Sequence, residues 1–407
     1  MKRNFLVIAG VLVILGGTVF SQEVEIGRGK LVFGGRVATG VYFDINSTNN
    51  KDGTFQILNM GYPDNDYNNS MRAELSAVYT NRNGGFRLGL RADDVINRLE
   101  GGEGLFNVPY ANGWVDLLDN KLRVTGGKVA DNVWGTIGFL DSTIPAAGLR
   151  LEAKPFEGLN AGVFFTVPEK KEIASSASPP TTSVIAASPT QILWETIFGV
   201  RYAGPSFWAS ALIQLDSDYD SAPMGSFDSV NHPVNFKDDQ EIRAIAGVGF
   251  SGIPKLNLIA EADIWGLGVL SDQGRIDLRE TAAYSINDKF KVELRAQELL
   301  WLYNDELKPW LEFKPLFTYR ANSIVTTVLE TGFGLGNYGE AELVTPQMGA
   351  VPNGPKTIYQ IYAKPTALLT LDGGLAVKTW YKFTISEKED QDSATANQAA
   401  IEFAWSF

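Results

Sequence analysis

The chain has no cysteine and a single histidine among its 407 residues. Without thiols there is neither a disulfide framework nor a thiolate metal site, and one imidazole removes most zinc sites and most nucleophile–base triads. Past the N-terminus there is no run of about 20 apolar residues, which excludes a polytopic helical membrane protein. Bases are also in deficit: 35 Lys and Arg face 47 Asp and Glu, a formal charge of −12. The basic face that nucleic acid requires is therefore missing. No cofactor, metal or nucleic-acid partner is expected. What is abundant is hydrophobic and aromatic residues, 44% and 11% of the chain, at a mean hydropathy of −0.06. That is enough apolar surface to fold.

Residues 1–21 read as a cleavable secretory signal. Lys2 and Arg3 form its positive region, Phe5 to Val19 its apolar core, and Val19-Phe20-Ser21 its cleavage site. The mature chain, 22–407, then forms one domain and carries a net charge of about −14. No Cys follows the signal, so lipid anchoring of the lipoprotein type is excluded.

Alternation begins at once. Leu31, Phe33, Gly35, Val37, Thr39, Val41, Phe43 and Ile45 share one parity, while Arg36, Ala38, Gly40, Tyr42 and Asp44 hold the other. Period two over this length indicates a strand with one apolar and one polar face, long enough to cross a bilayer at a tilt. The pattern returns at Met71/Ala73/Leu75/Ala77/Tyr79 and at Phe86/Leu88/Leu90/Ala92. It continues near 107–118, 121–129, 146–154, 159–167, 191–203, 206–216, 240–251, 255–267, 275–286, 289–300, 308–319, 323–335, 355–365, 372–384 and 395–407. That makes about 18 strands, or 16 if a pair is merged.

The connections sort into two kinds. Tight turns fall at Asn81-Arg82-Asn83-Gly84, Asp119-Asn120, Pro155-Phe156-Glu157-Gly158, Gly204-Pro205, Gly252-Ile253-Pro254, Asn287-Asp288, Ala321-Asn322 and Asp372-Gly373. Between them lie mostly long polar connections at 46–69, 95–106, 130–145, 168–190, 217–239, 336–354 and 385–394, with shorter ones near 268–274 and 301–307. Short on one side and long on the other is the pattern of a closed antiparallel transmembrane β-barrel. With an even strand count, both termini lie on the periplasmic side.

The chain ends on an amphipathic strand with Ile401, Phe403, Trp405 and Phe407 on one parity. A terminal strand closing on Phe resembles that of bacterial outer-membrane barrels. With the alternation along nearly the whole mature chain, the protein resembles a large outer-membrane porin. The resemblance implies contact with outer-membrane lipids and lipopolysaccharide or its equivalent. It also implies recognition of Phe403, Trp405 and Phe407 by the barrel-assembly machinery. Porins are commonly homotrimers, and no feature of this sequence fixes the count.

By parity the lumen carries about 16 bases and 15 acids. Among them are Arg36, Arg72, Arg87, Arg91, Asp116, Arg123, Arg150, Arg243, Glu261 and Lys378, taken as pore-lining. So many charges exclude an apolar core, so the interior is expected to hold water. The wall is nearly neutral, which assigns the net acidity to loops and turns. Aromatics such as Tyr79, Tyr202, Phe207, Phe250, Tyr284, Phe290, Tyr319 and Tyr381 suit interfacial girdles. Lys128 and Glu280 break the lipid-face parity; a bulge at Gly126-Gly127 and a strand-end position are expected to account for them.

The connection 130–145 stands apart, because Val133-Trp134-Gly135-Thr136-Ile137-Gly138-Phe139-Leu140 is too apolar for a solvated loop. In porins the third long loop folds inward. Val133, Trp134, Ile137 and Phe139 are therefore expected to form a constriction, with a cap over the mouth or a subunit contact as alternatives. Tyr42, Trp114, Trp208, Trp265, Trp310 and Trp380 share lumen parity, either as a sugar-stacking track or as partners of arginines. Alternating acids at Asp216, Asp218 and Asp220 lack the Gly and Glu of a calcium loop. His232 has no convincing nucleophile beside it, so no enzyme is expected. A porin for passive diffusion of ions and small hydrophilic solutes is the leading reading; a loop-bearing adhesin and a sugar-selective porin are the alternatives.

Overall fold

The computed structural model describes residues 22–47, 54–58, 72–92, 107–129, 133–136, 146–167, 195–215, 242–265, 273–303, 306–338, 357–388 and 393–407. The signal segment 1–21, His232, Asp216, Asp218 and Asp220, Ile137, Phe139 and most of the long connections lie outside the described residues.

The described chain is built almost wholly of strands. They are β1 (Gln22–Ile26), β2 (Gly29–Ser47), β3 (Thr54–Leu58), β4 (Arg72–Asn81), β5 (Gly84–Ala92), β6 (Asn107–Leu117) and β7 (Leu122–Val129). Next come β8 (Ala146–Ala153), β9 (Leu159–Val167), β10 (Glu195–Ala203), β11 (Phe207–Leu215), β12 (Ile242–Phe250), β13 (Leu256–Trp265) and β14 (Gln273–Ser285). The last six are β15 (Phe290–Tyr303), β16 (Glu306–Arg320), β17 (Val325–Tyr338), β18 (Thr357–Thr370), β19 (Leu375–Lys388) and β20 (Ala394–Ser406). The regular non-strand element among the described residues is a single 3-10 turn at Asp372–Gly374.

Each strand from β4 onward pairs antiparallel with the next, and β20 returns to β2. The result is a closed antiparallel barrel of 18 strands. Closure follows from the solvent: hydrocarbon satisfies no backbone N–H or C=O, so an open edge cannot face it. At the seam Arg36 lies opposite Ser406, and the N–H groups of Gly35 and Phe407 each donate to the other's carbonyl, at 2.9 and 3.0 Å. The Phe407 ring lies against Gly35, where a Cβ would come within 2.4 Å of it. Trp405 stands beside Phe407 and donates its indole N–H to the Gly373 carbonyl at 2.7 Å.

The sequence alternation anticipates β2 and β4 to β20, although β18 runs past its expected end at 365 to Thr370 and β19 past 384 to Lys388, and every tight turn falls where turn chemistry placed it. Two short strands escape it. β1 forms a hairpin with β2, and β3 pairs with Gly40–Asp44 on the same edge of β2 that β4 uses lower down. β3 and β4 are therefore two pieces of one barrel position. The expected loop near 301–307 shrinks, because β15 runs to Tyr303 and β16 starts at Glu306. Pro315 and Pro365 stand inside strands, and cross-strand pairing lapses around each on one side: Phe313↔Phe333 jumps to Leu316↔Glu330, and Ala363↔Phe383 to Thr366↔Trp380. Proline has no N–H to give to the ladder.

Two expectations about parity are corrected. Pairing of β7 with β6 and with β8 runs through Gly126 and Gly127 without a register shift, so there is no bulge, and Lys128 is the penultimate residue of β7. Glu280 is not at a strand end: it sits in the middle of β14, opposite Ala260 and Ala296. The girdle forms at the turn end, where Tyr79 stacks with Phe86, Tyr202 meets Phe207 and Phe290 meets Tyr319 at 4.8 Å. Tyr381 lies instead in mid-strand, and its hydroxyl donates to Asn397.

Burial is inverted relative to a soluble protein. Phe86, Leu88, Phe198, Ile213, Phe313, Phe333, Ile361 and Phe403 are exposed, while Arg150, Glu152, Arg243, Asp263, Asp277 and Glu402 are buried. The apolar parity of each strand faces outward, and the polar parity faces the lumen. Replacing Phe333 by Arg should lower the stability of the refolded barrel in lipid vesicles by about 2–4 kcal/mol. Phe333→Leu should change it little; urea titration measures both.

Candidate functional site

The lumen wall is built from the inward parity, and many of its described charges are paired. On the first half of the barrel Arg123 forks onto Asp116, its cross-strand partner, at 2.7 and 2.9 Å. Arg150 reaches Glu152 two residues along β8 at 2.8 Å, and Asn160 completes that carboxylate at 2.9 Å. On the second half Arg243 forks onto Asp263 at 2.8 and 2.7 Å, with side chains only 2% and 0% exposed. Arg279 and Gln297 both hold Asp277, and Lys314 holds Glu312 at 2.9 Å. A charge taken from water needs a partner of good geometry, and forked Arg–carboxylate contacts supply it.

Of the residues expected to line the pore, Arg87, Arg91, Asp116, Arg123, Arg150, Arg243, Glu261 and Lys378 fall on the inward parity of β5 to β8, β12, β13 and β19, and Arg36 on that of β2. The side chain of Arg72 lies outside the described residues, although its backbone opens β4. Of the inward aromatics, Tyr42 meets Trp380, and the side chain of Trp265 lies outside the described residues. Trp114 lies under Arg123, Trp208 under Arg201 and Trp380 under Lys364, each within 5.6 Å of the ring centroid. Trp310 is buried against Gly334. Each of these three rings therefore has a cation over one face. Tyr110 and Tyr362, not singled out by parity, serve the same role for Arg87 and Lys382.

Segment 133–136 lies against the inner wall. Trp134 is 1% exposed and packs with Val129, Phe164, Ile197, Leu212 and Ile245, inward residues of β7 and β9 to β12. Its indole N–H donates to Asn160 at 3.1 Å. The Gly135 carbonyl accepts from Arg201 and Ser210 at 3.3 and 3.4 Å. The socket is made of glycine. Gly162 and Gly199 face each other across β9 and β10, and a Cβ on Gly199 would come within 2.3 Å of the Trp134 ring. Thr136 occupies a similar gap over Gly247. Val133 packs at the margin of this cluster. A side chain so enclosed contributes several kcal/mol of packing and burial.

Half-way round the ring, β17 to β20 and β2 carry a second cluster. Trp380 donates to Glu402 at 2.6 Å and tilts against Tyr42 at 6.1 Å, while the Tyr362 hydroxyl donates to Glu330 at 2.7 Å. Lys378 lies 3.9 Å from Glu402, and Lys364 and Lys382 sit over the aromatic rings. The inward segment thus faces a lysine-bearing wall across the lumen. Among the described residues no cluster of three His, Asp or Glu could hold a metal ion. The geometry offers paired charges and hydrogen-bonding groups on a curved inner surface.

No protein-family model matches the sequence, and no curated protein matches it. Solved structures do match. OprD of Pseudomonas aeruginosa superposes with a TM-score of 0.52 at 12% identity, covering 96% of this chain and 100% of that one. OccAB4 of Acinetobacter baumannii gives 0.51 at 11% identity, with 95% and 99% covered. The chain has the fold of an outer-membrane porin. The outer-membrane channel DcaP of Acinetobacter baumannii adds a TM-score of 0.50 at 12% identity, over 96% of this chain and 100% of that one. The likeness of the porin-type barrels to this chain is one of fold, and it spans nearly the whole length.

If Trp134 anchors the inward segment, Gly199→Val should eject it by filling the socket. Single-channel recordings of the refolded variant should then show a raised conductance, and proteolysis should cut the freed segment faster than in the parent. Unchanged conductance with an unchanged digest would show that Trp134 neither holds the segment nor narrows the lumen.

Proposed function

We propose that the protein is an outer-membrane porin, a water-filled channel for passive diffusion of ions and small hydrophilic solutes. The observation that carries this reading is the inner wall: a closed 18-strand barrel whose lumen parity bears charges of both signs. A barrel of this size encloses more volume than side chains fill, and a wall of ion pairs is stable only with water or polar partners beside it. The segment around Trp134 narrows that space from the side opposite Lys364, Lys378 and Lys382. Both termini face the periplasm in this reading, since the C-terminal residue lies level with the tight turns, where Trp405 reaches Gly373. Residues 1–21 direct export, and Phe403, Trp405 and Phe407 present the terminal strand to the assembly machinery.

Planar-bilayer recording of the refolded protein tests the reading. We expect ohmic steps, with a reversal potential near zero under a salt gradient and a slight cation preference set by acidic loops at the mouth. Absence of any conductance would contradict it.

A further inference from the structure

The net charge of the chain is divided unevenly between the two ends of the barrel. The tight connections, from Gly27-Arg28 to the turn 371–374, hold six bases against four acids. The connections that join the strands at the other end, from 93–106 to 389–393, hold 22 Asp and Glu against five Lys and Arg. One of them, 216–241, has seven acids and a single base, Lys237. The acidity of the chain therefore belongs to one mouth of the barrel, and the turns do not share it.

The register shows where the turn bases stand. At their lower ends β7 and β8 pair down to Leu122↔Ala153, and β15 and β16 down to Phe290↔Tyr319, both on the outward parity. One step further, on the lumen parity, come two pairs of like charge, Lys121 beside Lys154 and Lys289 beside Arg320. The Lys154 N–H donates to the Lys121 carbonyl at 2.7 Å and the Arg320 N–H to the Lys289 carbonyl at 2.8 Å, so the backbone holds each pair together although its charges repel. Lys121, Lys289 and Arg320 are exposed and make no side-chain hydrogen bond or ion pair among the described residues. Asp116, which feels the charge of Lys154, is already forked by Arg123. Asp119, Glu157 and Asp288 lie in the turns themselves and form no ion pair with these bases. Between the two mouths the wall is close to balance, through pairs such as Arg243–Asp263 and Lys314–Glu312.

We infer that the protein is a rectifying pore, with an acidic mouth that admits cations and a basic periplasmic mouth that admits anions. The inference rests on the porin reading. When the acidic side is made positive, the field drives cations in through the acidic mouth and anions in through the basic one. Each species is then held back at the far mouth, whose charge has its own sign, so ions accumulate in the lumen and conductance rises. With the polarity reversed, each species must enter through the mouth that repels it, and the lumen is depleted. The mouths act on passing ions only where screening is weak, and the Debye length is about 10 Å at 0.1 M salt and about 3 Å at 1 M. The steps are therefore ohmic at high salt and asymmetric at low salt.

Bilayer recording at two salt concentrations tests this. At about 0.1 M KCl the current with the acidic side about 100 mV positive should exceed that at the opposite polarity about twofold, and at about 1 M the two should agree within about a tenth. The chain has no native cysteine, so Asn322→Cys with a thiol-reactive polymer too large for the lumen shows which chamber the turns face. Lys121→Gln, Lys154→Gln, Lys289→Gln and Arg320→Gln together should remove at least half of the asymmetry at low salt and leave the conductance at high salt unchanged. The charge-keeping set Lys121→Arg, Lys154→Arg, Lys289→Arg and Arg320→Lys should retain it. Equal currents at low salt, an asymmetry of the opposite sense, or one that survives the Gln exchange would overturn the proposal while leaving the porin reading intact. Absence of any conductance would overturn both.

Discussion

Hydrocarbon leaves no backbone polar group unpaired, and everything else in this molecule depends on how that demand is met. A helix would meet it within one segment; this chain meets it between segments, by closing β20 onto β2. Closure needs two firm ends, and the seam supplies them through reciprocal Gly35–Phe407 hydrogen bonds and the ring of Phe407 over a glycine. Once closed, each strand has one face toward lipid and one toward the lumen. The amphipathic alternation is a consequence of that partition.

The lumen then poses the opposite problem, because its side chains include many charges close together. Forked pairs such as Arg123–Asp116 and Arg243–Asp263 answer it by satisfying each carboxylate geometrically. Cation–aromatic contacts take up much of the remaining positive charge. Into this polar wall an apolar patch is set, the glycine socket on β9 to β12, and it receives Trp134. The patch marks where the chain folds inward, and the lysine and aromatic cluster on the far wall marks what it faces.

Much of this was legible in the sequence, and the exceptions have physical causes. Strands of nine or more residues announce themselves by parity, whereas β3, five residues set among polar neighbours, carries too few alternations to be seen. Trp134 was visible because an indole amid apolar neighbours is out of place in a solvated loop. Its socket was not, because Gly162 and Gly199 become a feature only when the register places them face to face. Glu280 is visible in the sequence as a breach of parity, but only the register shows that it lies in mid-strand, and Glu298 is hidden by the run Leu299 to Tyr303 that follows it, which is apolar at both parities. Forked ion pairs likewise depend on register, which one strand's sequence does not disclose.

The central claim is that consecutive residues of one strand face water and lipid in turn. With no native cysteine, single substitutions along β17 can be probed in vesicles with a charged, membrane-impermeant thiol reagent. Cysteines at Thr326, Val328 and Glu330 should react, and those at Thr327, Leu329 and Thr331 should stay protected. Uniform reactivity along the strand, or protection of both parities alike, would contradict a transmembrane barrel with an aqueous lumen.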